Sequence, residues 1–163
     1  MRTAEAHQFL AQPLVTQFLI PTLRAWIDDE PAKSVPVRWL GMLSRDNELL
    51  DRALSMCPED IPVRKMLIEH DLSCAGYATH HLDENLFLGG VDEVITALAH
   101  AKDLMTNAPD SEPLACLTSE VQYFDVLVAD WIAYSKNPVG SFPEWCAKQG
   151  RKYNYPFKVY YER

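Results

Sequence analysis

Several things are scarce or missing in this chain, and each absence narrows what it can be. Glycine occurs six times in 163 residues, with no low-complexity tract, which excludes a fibrous or linker-dominated protein. None of the four cysteines (Cys57, Cys74, Cys116, Cys146) stands in a Cys-x-x-Cys pair, so zinc-ribbon and dithiol redox signatures are absent. Gly89-Gly90 is too short to cradle a phosphate, and no Lys-Ser or Lys-Thr follows it. No Gly-x-Ser-x-Gly is present. The best apolar run, residues 14–27, is broken by Pro21 and Arg24 and falls short of the roughly 18 residues of a membrane helix. Glu5 and His7 before it, and the lack of a small-residue cleavage site after it, make it a poor leader. The expected location is cytoplasmic, with reduced and mostly buried thiols.

Positive charge is the most telling shortage. The formal net charge is −8. Between residues 66 and 135 twelve carboxylates stand against one cation, Lys102. Residues 148–163 run the other way, with Lys148, Arg151, Lys152, Lys158 and Arg163 against Glu162. Phosphate backbones and anionic lipid surfaces are bound by clustered Lys and Arg, so the body of the chain is a poor match for nucleic acid or membrane.

What is present is helical periodicity. The apolar content of 48% is ordinary for a globular protein, and a chain of this length buries about 70% of its unfolded surface without metal or disulfide. Helices are predicted over 3–11, from Pro13 with a kink at Pro21, over 37–43, over 47–56 and from Asp60 to about Thr79. A further helix covers 91–105. Ser111 is expected to cap a long one in which Leu114, Leu117, Val121, Phe124, Val128 and Trp131 recur every three or four residues, widened by Tyr123, Leu127 and Tyr134. Ser141 and Glu144 form a capping box for a last short helix near Trp145. Residues 28–36 read as a connector and 80–90 as a loop. Tyr153, Tyr155, Phe157, Val159 and Tyr161 alternate with other residues, the pattern of an extended tail over 151–163. The expectation is an all-α protein of antiparallel helical hairpins in one domain, 1–163, with 28–36 the only candidate for an internal boundary.

Two stretches add a family resemblance. Leu50-Asp-Arg-Ala53-Leu54-Ser-Met-Cys-Pro58-Glu-Asp60 resembles the second helix and closing proline of a tetratricopeptide repeat, and residues 91–109, with Ala97 and Pro109, are similar. Pro58 and Pro109 are 51 residues apart where that family has 34, and its Trp-x-x-Leu-Gly signature is replaced by Arg64, Leu67 and Ile68. The resemblance implies helical hairpins that present a protein-binding surface. Tyr77-Ala-Thr-His-His-Leu82 also looks like segments of small uncharacterised bacterial proteins.

The densest group of chemically able side chains is Glu69-His70-Asp71, Cys74, Tyr77, His80-His81 and Asp83-Glu84. His70 and Cys74 are one helical turn apart and could share a metal ion, and the His80-His81 pair at the helix end, with acids just beyond, could also bind a divalent ion or shuttle protons. Set against this, histidines near a helix C-terminus are favoured by its carbonyls alone, and acids in a loop are commonly solvated. Asp92-Glu93 is ordinary charge for the start of a helix. The tail aromatics and cations could stack nucleic-acid bases, but docking of Tyr153 and Tyr155 onto the helices, with cations facing the acidic body, is the stronger expectation. Pairing of the tail across a homodimer is a third arrangement. The leading functional expectation is a non-enzymatic, cofactor-free protein-binding domain that meets a basic partner through acids such as Asp83, Glu84, Asp92 and Glu93, with Tyr153 and Tyr155. An inhibitor or immunity-type protein is a special case. The alternative is a small metal-dependent enzyme centred on His70, His80 and His81.

Overall fold

Short acceptor side chains and prolines set the helix ends, and the computed structural model, which describes residues 12–154, follows them closely. Every regular element among the described residues is helical: α1 (Gln12–Leu14), a π turn (Val15–Leu19), α2 (Ile20–Asp29), α3 (Ser34–Ser44), α4 (Asn47–Met56), α5 (Ile61–Thr79), α6 (Val91–Thr106), α7 (Ala115–Ser135) and α8 (Phe142–Lys148). None is long and apolar enough to cross a membrane. The expected helix over 3–11 and the tail beyond Asn154 lie outside the described residues.

The described residues divide into two compact groups, 12–67 with 108–110, and 68–107 with 111–154. The division falls within α5 and not in the 28–36 connector. That connector is also shorter than expected: α2 runs to Asp29 and α3 starts at Ser34, with Pro36 in a first turn that needs no N–H there. Pro21 acts one turn earlier than a simple kink. Its ring and missing N–H leave the preceding turn wide, and Ile20 N–H reaches back five residues to the Val15 carbonyl.

In the first group α3 and α4 form an antiparallel hairpin across two residues. Arg45 takes a left-handed conformation (φ 55°) that ends α3, and the Asp46 carboxylate accepts the Leu49 N–H at 3.1 Å to start α4. The helices meet closely at Gly41, where a Cβ would lie 2.9 Å from Leu50 Cδ2. Val37, Leu40, Leu50 and Ala53 are buried around this point. Asp60 starts α5 by accepting the Val63 N–H, while its other oxygen takes Arg38 Nη1 at 2.9 Å.

The second group is built round the long apolar helix α7. Ser111 does not cap it. Ser111 sits at ψ −15°, outside the extended region a cap requires, because Pro113 is accommodated in a separate 3-10 turn (Glu112–Leu114) before α7 begins at Ala115. Leu117, Val121 and Val128 of the expected seam are buried, but the stripe Leu127, Asp130 and Tyr134 is buried as well. Phe124 and Trp131 are only half-buried. Leu82, Leu127, Tyr134, Phe142 and Cys146 form a core against which Phe87, Phe124, Trp131, Trp145 and Tyr153 pack. Phe142 is its hub, with the rings of Trp131, Tyr134, Trp145 and Tyr153 centred 5.3–6.4 Å away. Burying such a ring stabilises by about 1.5–3 kcal/mol. Asn85, left-handed at φ 61°, ties the 80–90 loop to this core: its side-chain oxygen accepts the Phe142 N–H at 2.6 Å and faces the Tyr134 hydroxyl at 3.4 Å.

Candidate functional site

Helix α5 carries most of the side chains that the sequence marks as chemically able. It brings His70 Nε2 within 3.5 Å of Cys74 Sγ on an exposed face. Burial and the nearby Asp71 carboxylate push the Cys74 thiol upward, so it is held as a thiol and not as a nucleophilic thiolate. His80 and His81 lie side by side at the helix end, tilted with ring centroids 4.1 Å apart, and His81 Nδ1 lies 3.7 Å from Glu84. At 1.5 Å per residue His70 is roughly 15 Å along the axis from His80, so the two histidine groups do not converge. Among the described residues no group of three or more His, Cys, Asp or Glu is arranged to hold a metal ion. Cys74 and Cys116 are exposed, which corrects the expectation of mostly buried thiols; Cys146 is buried and Cys57 intermediate.

Asp83 lies in the 3-10 turn after His81, and Glu84 is exposed there. Asp92 and Glu93 occupy the first turn of α6, where carboxylates suit the helix dipole, and Glu93 reaches back to the Gly90 N–H. His100, which is not among the candidates above, holds the buried Asp71 carboxylate at 2.9 Å. The signal was there. Asp71 falls four residues from both Leu67 and Ala75, on the apolar stripe of α5.

The tail is positioned by the end of α8. Gly150 is left-handed at φ 70°; its N–H bonds to the Ala147 carbonyl and the Arg151 N–H to that of Cys146. This Schellman turn sends the chain back over α7. There Arg151 and Tyr153 both bind Asp130, and the Tyr123 hydroxyl donates to the Asn154 carbonyl at 3.3 Å. Tyr153 thus docks as expected, while Tyr155 lies outside the described residues.

Between the end of α5, the middle of α7 and the returning tail lies a cleft of about 350 Å³. Gly76, Phe124 and Leu127 form its apolar part, and His80, Tyr123 and Lys152 reach it from three directions. The His80 ring is oriented by a 2.5 Å contact of Nδ1 with the Tyr77 carbonyl. A carbonyl can only accept, so Nδ1 is the donor in this contact. Burial pushes the Tyr123 phenol up and keeps it a neutral donor.

No protein family, curated protein or solved structure matches this chain.

Proposed function

We propose that this protein acts by binding another protein, one with a basic surface, through the acidic exterior of residues 68–107 and 111–154. The observation that supports this most is how the charges of that group are disposed. Lys102, the single cation between residues 66 and 135, is held by Asp125 at 2.5 Å. Asp71 and Asp130 are buried, whereas Glu69, Glu84, Asp92, Glu93, Asp103 and Glu120 are exposed. A predominantly acidic surface accelerates encounter with a basic partner and disfavours nucleic acid and anionic lipid.

Exposed Tyr77 and Leu86 supply apolar anchors in the same group as these acids. The tetratricopeptide resemblance, read with the α3–α4 hairpin, is part of the same proposal. An acidic inhibitor that covers a basic enzyme site is its most specific form.

The test is affinity capture from host lysate with the unaltered chain and with an Asp92→Asn, Glu93→Gln, Asp103→Asn variant. Partners are then identified by mass spectrometry and their association rates measured against salt. A partner lost by the variant, and captured by the original at a rate falling steeply with ionic strength, is the expected result. Equal capture by both proteins, or a salt-insensitive rate, overturns the reading.

A further inference from the structure

Gly76 lies inside α5, three residues before its end, where glycine destabilises a helix by about 1 kcal/mol relative to alanine. Close packing does not require it. A Cβ at this position would sit 3.5 Å from Phe124 Cζ, an ordinary contact. What the missing methyl group provides is space, and that space is the wall of the cleft beside Phe124 and Leu127.

The chemistry around that space is selective. Phe124, Leu127 and Tyr123 offer apolar and aromatic surface against which a planar ring can lie, in a volume just above the roughly 300 Å³ at which small-molecule pockets begin. Of the two described cations of the tail, Arg151 is committed to Asp130, whereas Lys152 has no ion pair among the described residues and lines the cleft. Lys152 is the one cation among the residues lining this cleft, so an anion that enters it meets an ammonium at its edge.

We propose that this cleft binds a small aromatic carboxylate, its ring against Gly76, Phe124 and Leu127 and its carboxylate on Lys152. The site is independent of the acidic protein-binding surface and stands or falls without it.

The experiment is a titration of the full ¹⁵N-labelled chain with benzoate, phenylacetate and indole-3-acetate, with benzyl alcohol as the uncharged counterpart and inorganic phosphate as the anion without a ring. Saturable shifts at the amides of Gly76, His80, Leu127 and Lys152 are expected with at least one carboxylate, and none with phosphate. Lys152→Gln should weaken carboxylate binding by roughly tenfold or more, the loss of one charge-assisted hydrogen bond, and leave benzyl alcohol unaffected. Gly76→Ala should raise Tm and yet weaken every ring-bearing ligand by about tenfold, so that lost binding cannot be put down to lost folding. Absence of saturable shifts with all three carboxylates up to about 10 mM, or undiminished binding by Gly76→Ala, overturns the proposal.

Discussion

The Tyr153 hydroxyl donates to Asp130 Oδ2 at 2.5 Å, and the guanidinium of Arg151 holds the other oxygen of the same carboxylate. Asp130 is 4% exposed, so these two residues of the tail are what allow a charge to sit inside α7. Tyr153→Phe removes one donor from a buried carboxylate and should cost about 1–3 kcal/mol, lowering Tm by several degrees in thermal denaturation. An unchanged Tm would show that Arg151 alone satisfies Asp130.

Gly41 and Gly76 should respond to alanine with opposite signs. At Gly41 the new methyl group meets Leu50 Cδ2 at 2.9 Å and the Leu50 backbone nitrogen at 3.1 Å, so the α3–α4 hairpin must spread. The expected loss is about 1–3 kcal/mol, read from urea denaturation. Stabilisation by Gly41→Ala would contradict the close approach described for these helices.

Acid should loosen α8 through Glu144. The Ser141 backbone N–H and then its hydroxyl hold that carboxylate below its ordinary value. Because the folded group is the stronger acid, its contribution is present at neutral pH and is lost as pH falls through the range below its ordinary value of 4.5. Glu144→Gln should flatten the acid limb of a Trp145 fluorescence titration. An identical limb in the variant would remove Glu144 as its origin.

Thiol labelling should follow exposure and local charge. Native iodoacetamide treatment at neutral pH is expected to modify Cys116 and Cys74 and to spare Cys146, which is buried and whose thiol burial pushes up. Cys74 should react more slowly than its exposure implies, because burial and Asp71 both oppose its ionisation. Peptide mass mapping over time measures this; rapid modification of Cys146 would contradict the packing around Phe142.

Helix ends were the most readable part of the fold, because Asp46, Asp60 and Ser141 announce themselves by chemistry local to a few residues. Pro113 defeated the same logic at Ser111, since a proline two residues on inserted a 3-10 turn between the serine and its helix. Asp130 is one of the twelve carboxylates between residues 66 and 135, yet its spacing from Leu127 and Tyr134 places it on a buried stripe. Its partners lie more than twenty residues away, and no local pattern names them. His80 was visible as a candidate, but the cleft beside it was not. Gly76 and Tyr123 meet through the packing of α5 on α7, and Lys152 joins them only through the return of the chain after Gly150.

That return has a consequence for synthesis. While the ribosome is still adding residues before 151, α7 can coil, but an aspartate on its inward stripe has neither of the groups that neutralise and bind it. A nascent chain halted there is left holding an uncompensated charge against its aromatic interior. Completion of the second group is therefore tied to the emergence of residues 151–153, and chains cut short upstream of them should be recognisable to proteases as unfinished.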